Sequence, residues 1–101
     1  MSKVDEKQIR IEFARNLDNA TILIVNGINE NGEKILRFFN ASDFHAELKV
    51  NDVGKDVEVN KKIFFSNKHV CELVFYHDES INAVIHSCEE LKNMWEVSND
   101  K

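Results

Sequence analysis

The chain has 101 residues, of which 43% are hydrophobic and 31% are charged, and its formal net charge is −5. This composition is typical of one globular domain that buries its own core, and it excludes a disordered chain. The negative charge disfavours nucleic acid and anionic membranes as ligands, and no apolar run approaches the roughly 20 residues that span a bilayer.

The N-terminal part of the chain predicts a mobile segment followed by a strand. Residues 1–7 are polar and contain no apolar signal segment. Ile9, Ile11 and Phe13 then alternate with mostly polar neighbours, which is the pattern of a half-buried strand. Two cysteines, Cys71 and Cys88, are too few for a disulfide framework. We therefore expect free thiols, a single domain over residues 1–101 and a cytoplasmic location.

The strongest local signal is a β-hairpin between residues 21–25 and 34–39. Both segments are rich in β-branched or aromatic residues, and Asn31-Gly32 lies between them. Asn-Gly favours a two-residue turn because both positions adopt positive φ. That turn predicts that Val25 pairs with Phe38, which places apolar side chains on both faces of the hairpin. The hairpin is therefore expected at the centre of a sheet or covered on both sides.

Further strands are predicted after the hairpin. Residues 42–50 fit either a short helix capped by Ser42 or Asp43, or a strand in which apolar and polar residues alternate, and we prefer the strand. Residues 57–65 predict a bent strand, and residues 70–76 predict another. The expected fold class is therefore α+β, with a mainly antiparallel sheet of five to six strands and one C-terminal amphipathic helix packed on one face.

The C-terminal helix is predicted over residues 80–97 because apolar residues recur there at spacings of three and four. This stripe consists of Ile81, Val84, Ile85, Cys88, Leu91, Met94 and Trp95. We expect the stripe, including Leu91 and Trp95, to be buried against the sheet. The net charge lies in this C-terminal third of the chain, because residues 1–68 are neutral whereas residues 69–101 contain seven acids and two lysines.

The acidic face of this helix and the loop before it are the candidate binding site. A rigid, uncompensated acidic surface attracts a basic protein and accelerates association with it. The residues assigned to this site are Asp78, Glu79, Asn82, His86, Glu89, Glu90, Asn93 and Glu96. The favoured function is a small acidic protein-binding module that blocks a basic partner, such as a toxin or a nucleic-acid enzyme. Immunity proteins and phage or bacterial inhibitors share this profile of size and charge.

Two alternatives remain open at the level of sequence. One is a ligand-binding or enzymatic α+β domain with a pocket between helix and sheet. The other is a dimeric accessory subunit whose doubly apolar hairpin forms the interface, so both a monomer and a homodimer are compatible with the sequence. Four scattered histidines and two cysteines show no metal-ligand spacing, and no nucleophile or phosphate-loop motif is present. We therefore assign no catalytic residue, metal or cofactor.

Overall fold

A computed structural model describes residues 8–17, 20–44 and 59–99. Three strands form one antiparallel sheet with the spatial order β1-β2-β3. They are β1 (Ile22–Ile28), β2 (Lys34–Asn40) and β3 (Cys71–Phe75). A 3-10 turn (Ala41–Phe44) follows β2, and the helices are α1 (Lys61–Phe64) and α2 (Asp78–Asn99). The α+β class is confirmed, but the prediction of five to six strands is wrong, since the described residues form three.

Two of the predicted strands are replaced by other structure. Residues 9–13 form no strand, and Ile9 and Phe13 are exposed. Residues 61–64 form α1 because the side chain of Asn60 accepts a 3.0 Å hydrogen bond from the backbone N–H of Ile63, which caps a helical turn. The strand preferred over residues 42–50 is wrong for residues 42–44, which lie in the 3-10 turn. Residues 1–7, predicted to be mobile, and residues 45–58, which include the rest of that predicted strand, lie outside the described residues.

The predicted hairpin is present, but its register differs by one residue. Val25 pairs with Arg37 and not with Phe38, because the connection is a three-residue loop. Asn29 and Glu33 close that loop, and Gly32 is its one residue with positive φ, at +79°. Asn29 explains the difference: its side-chain oxygen accepts hydrogen bonds from the N–H groups of Asn31 and Glu33 and so stabilises the longer turn.

A shift of one residue moves every side chain of one strand to the opposite face relative to its partner. One face of the sheet is therefore buried and forms the core, and the other is partly exposed. The core face packs against Phe44 of the 3-10 turn and against α1. The buried core residues are Leu23, Val25, Ile35, Phe39, Phe44, Ile63 and Phe64. The opposite face carries Ile24, Ile28, Leu36 and Phe38.

A buried arginine connects the elements of the core. The side chain of Arg37 is 6% exposed, and both Nε and Nη2 lie 2.9 Å from the same carboxylate oxygen of Glu72 on β3. Nη1 donates a 2.8 Å hydrogen bond to the carbonyl of Phe64, and Nη2 reaches Glu30 in the hairpin loop at 3.2 Å. These partners offset the cost of burying the charge and hold β3, α1 and the loop against β2.

The C-terminal helix is longer than predicted and packs differently. The helix α2 contains 22 residues and is therefore about 33 Å long, whereas the five residues of β3 span about 17 Å. A three-stranded sheet of this size covers little more than the first turns of the helix. The prediction that Leu91 and Trp95 are buried against the sheet is wrong, since they are 53% and 67% exposed.

Candidate functional site

Seven of the eight residues assigned to the candidate site have side chains that the structure describes on α2. Described side chains are exposed at all of these positions, which are Asp78, Glu79, Asn82, His86, Glu89, Glu90 and Asn93. The side chain of Glu96 lies outside the described residues. Acids at the first two positions of α2 also suit the positive end of the helix dipole. The helix thus presents Glu89 and Glu90 on a rigid element and in contact with water.

One contact on this face involves a histidine. Nε2 of His86 lies 3.6 Å from a carboxylate oxygen of Glu90, one helical turn away. Both side chains are largely exposed, at 72% and 62%, so the pair contributes little to stability. Glu89 has Asn93 and not a lysine one turn further along. The acidic face therefore keeps most of its charge available to a partner.

The apolar side of α2 is exposed as well, although the spacing of its residues predicts burial against the sheet. We call this set of residues the α2 stripe: Ile81, Val84, Ile85, Cys88, Leu91, Met94 and Trp95. Exposure rises along the helix from 36% at Ile81 to 67% at Trp95. The positions 81, 84, 88, 91 and 95 alternate spacings of three and four. That regular alternation is typical of a helix that packs along another helix. It is a sequence feature from which the exposure of the stripe could have been predicted.

A groove opens where α2 leaves the sheet, on the face opposite the core. We call this the α2 groove, and its volume is about 440 Å³. Its apolar walls come from the sheet and from the first turns of the helix: Ile28, Leu36, Phe75, Ile81, Val84 and Ile85. Asn26 and Lys34 are its polar residues, and no histidine, cysteine or carboxylate among the described residues lines it. Such a lining suits apolar side chains of a ligand and offers no acid–base pair.

A second, more open groove of about 380 Å³ runs between β1 and α1. Lys61, Phe64 and Phe65 line it, and the Phe64 and Phe65 rings meet edge to face with centroids 4.8 Å apart. Phe64 is buried and Phe65 is 42% exposed. A single exposed ring is a poor stacking platform for nucleic-acid bases, which require successive aromatic faces.

Polar contacts at the hairpin loop shift the pKa values of Glu33 and Tyr76, in addition to that of Glu30. The carboxylate of Glu33 accepts hydrogen bonds from the Asn29 amide at 2.8 Å and from the Tyr76 hydroxyl at 2.9 Å. These two bonds, that of Asn29 above all, lower the pKa of Glu33. The hydrogen bond that the Tyr76 hydroxyl donates to Glu33 raises the pKa of Tyr76. Both groups are accessible to water, and neither faces a catalytic partner.

The described part of the chain contains neither a metal-ligating cluster nor a helix suited to span a membrane. Its histidines, cysteines and carboxylates form no group of three that would hold a metal ion. Cys71 is half-buried on β3, Cys88 is exposed on α2, and both are free thiols. No helix in the described ranges is long and apolar enough to cross a membrane.

Comparisons with protein-family models, curated proteins and solved structures found no match to this chain.

Proposed function

We propose that this chain is a small protein-binding module and that the acidic face of α2 binds a basic protein. The exposure of α2 carries the proposal: every described side chain of this long helix is exposed, including its acids. A helix that contributes so little to its own domain's core is well placed to contact another molecule. Its rigidity presents several carboxylates together, as an electrostatic docking surface requires.

The distribution of charge supports a basic partner. The five carboxylates at positions 78, 79, 89, 90 and 96 lie on one helix, where Lys92 is the only basic residue. Residues 1–68 are neutral, so the negative potential of the molecule is concentrated around this helix. Such asymmetry accelerates the encounter with a positively charged surface and repels phosphate backbones.

The chemistry of the α2 groove favours binding over catalysis. Its walls are apolar, and its polar groups are one lysine and one amide. Hydrolysis and group transfer need an activated nucleophile or a general base within hydrogen-bond reach of the substrate. The groove supplies an apolar surface on which side chains of another protein chain can be buried, and the described residues that line it supply no group that would act on a substrate.

Affinity capture with two variants of the whole protein tests the proposal. Lysate proteins that are retained by the wild type would be identified by mass spectrometry, and the partner would then be purified. The double reversal Glu89→Lys with Glu90→Lys should slow association with that partner severalfold or more at low salt. The difference should shrink near 0.15 M salt, where the Debye length is about 8 Å.

A matched control separates local contact from net charge. The double variant Glu12→Lys with Asp43→Lys changes the net charge equally, at exposed acids outside α2. It should retain most of the association rate. Equal rates for the wild type and the α2 reversal at low salt would overturn the proposal, since the acidic face would then be only a solvated surface.

The narrower hypothesis of an inhibitor or immunity protein is tested by the partner's activity. If the partner is a toxin or a nucleic-acid enzyme, stoichiometric addition of this chain should abolish its activity. The α2 reversal should require a higher concentration for the same effect. A partner that is bound but remains fully active would contradict inhibition and leave a binding module of another purpose.

A further inference from the structure

The α2 groove and the distal half of the α2 stripe are complementary surfaces of the same chain. The groove is a concave apolar site at Ile81, Val84 and Ile85, and Trp95 is the largest exposed apolar side chain. Eleven residues separate Val84 from Trp95, which is about 16 Å along a straight helix at 1.5 Å per residue. The chain therefore cannot place its own Trp95 in its own groove.

We propose that two copies of this chain pair through the α2 stripe. The two helices run antiparallel about a two-fold axis, so that Trp95 of each copy occupies the α2 groove of the other. In this isologous arrangement, the groove of each copy is filled by Trp95 of the other. No groove remains free to bind a third copy, so assembly stops at the dimer. This inference goes beyond the proposed function, because it concerns the face of α2 opposite the acids.

The exposed apolar area matches what a stable dimer needs. Six stripe residues are between 36% and 67% exposed, and Phe13, Ile24 and Ile28 add exposed surface outside the helix. Together they present on the order of 800 Å² of mainly apolar surface, which is the area that each partner contributes to a standard interface. Monomers rarely expose a contiguous apolar patch of more than a few hundred Å².

The charges beside the seam permit two acidic copies to associate. If positions 81, 88 and 95 are the a positions of a heptad, the flanking e and g positions of the described α2 side chains are Asp78, Ser80, Ile85, Ser87, Lys92 and Met94. Asp78, at the first residue of α2, is the one acid among them, and the described flanks beside Cys88, Leu91 and Trp95 contain none. Glu89 and Glu90 occupy b and c positions, which face away from a partner helix. Like-charge repulsion across the seam is therefore small, and the acidic faces of both copies point to solvent.

The unique tryptophan provides the measurement. Sedimentation equilibrium of the full chain should give a mass that rises from one to two copies with concentration. Over the same range, the emission of Trp95, the only tryptophan, should shift to the blue as its exposed ring enters the groove of the second copy. Leu91→Glu should remain a monomer with red-shifted emission, because it places a charge in the seam at an exposed position and leaves the core untouched.

Asn93→Glu is the matched control, because it adds the same charge to an exposed position outside the stripe and should dimerise like the wild type. A monomeric mass with unchanged emission at all concentrations would overturn the inference. A dimer that survives Leu91→Glu would also overturn it, since the interface would lie elsewhere. Blue-shifted emission in a monomer would overturn it as well, since α2 would then have to bend back onto its own sheet. Dimerisation is measured without the basic partner, so its failure is distinguishable from failure of the proposed function.

Discussion

The guanidinium of Arg37 contacts Phe64 twice: it donates a 2.8 Å hydrogen bond to the Phe64 carbonyl and lies 5.2 Å from the centroid of the Phe64 ring. The hydrogen bond satisfies a carbonyl near the end of α1, and the ring shields the guanidinium from water. The same guanidinium is paired with Glu72 on β3. One side chain thus ties the short helix and the third strand to the middle of the sheet.

Replacement of Arg37 by alanine should destabilise the protein by about 2–4 kcal/mol, because Glu72 and the Phe64 carbonyl lose their shared partner. Arg37→Lys should recover only part of this loss, since an ammonium group does not bridge both acceptors as a guanidinium does. Urea denaturation measures these changes. Arg15→Ala is the control, because the 86% exposed Arg15 pairs only at the surface with Glu12 and should change stability by less than about 0.5 kcal/mol. Equal effects of Arg37→Ala and Arg15→Ala would contradict the structural role of Arg37.

Alanine at Gly27 should destabilise the protein by about 1–3 kcal/mol through overpacking. A Cβ at this position would lie 2.9 Å from the Cζ atom of the buried Phe64 ring. The loss should be smaller in a Phe64→Leu background, which removes the ring that clashes. Gly32→Ala is the control, because it should destabilise the protein by backbone strain at φ +79° and not by a clash, since no atom lies within 4 Å of the added Cβ. Phe64→Leu should therefore not reduce the destabilisation caused by Gly32→Ala. A double-mutant cycle with no coupling between Gly27 and Phe64 would refute this packing.

The pKa of Glu33 should rise towards its ordinary value when either hydrogen-bond donor is removed. The larger rise is expected for Asn29→Ala and the smaller for Tyr76→Phe, because the Asn29 amide is the stronger cause of the lowered pKa. A lowered folded-state pKa stabilises the protein above the unfolded pKa of about 4.3, and this stability is lost as the pH falls through the folded pKa. Carboxyl NMR titration measures both variants. An unchanged Glu33 pKa in both would exclude these bonds in solution.

The hydrogen bond from the Tyr76 hydroxyl to Glu33 gives stability the opposite dependence on pH in the alkaline range. The raised pKa of Tyr76 stabilises the fold below the unfolded pKa of about 10, and this contribution is lost as the pH rises through the folded value. Glu33→Gln should therefore lower the pKa of Tyr76 in an ultraviolet titration. A Tyr76 titration that is identical in wild type and Glu33→Gln would show that the two side chains do not interact.

The β-hairpin and the C-terminal helix were predictable because alternation and three-four spacing are local properties of the sequence. The hairpin register was not, because the side chain of Asn29 stabilises a longer turn than Asn31-Gly32 alone favours. Residues 61–64 resemble a strand in composition, yet the capping side chain of Asn60 selects a helical turn. Caps and side-chain turns of this kind compete with strand propensity, and an apolar alternation pattern does not reveal them.

The exposure of the acids on α2 was predictable, whereas the packing of its apolar stripe was not. Exposed acids on a helix follow from charge and periodicity, and Glu89 and Glu90 are exposed as expected. Periodicity also identified the apolar stripe, but it reports only that a helix has an apolar face and not which surface covers it. The length of α2 relative to the five-residue β3 decides that question, and the extent of the sheet was not readable from the sequence.

The central position of β2 has a consequence for how the chain folds. Pairing of β2 with β1 closes a loop of three residues, whereas pairing of β2 with β3 closes the thirty-residue connection 41–70. The longer closure costs about 2 kcal/mol more chain entropy, at about 0.6 kcal/mol per doubling of loop length. We therefore expect the hairpin to form first, on the microsecond scale of such units, and β3 to add later. Mutations in the hairpin loop should slow folding, while mutations at Glu72 should mainly accelerate unfolding.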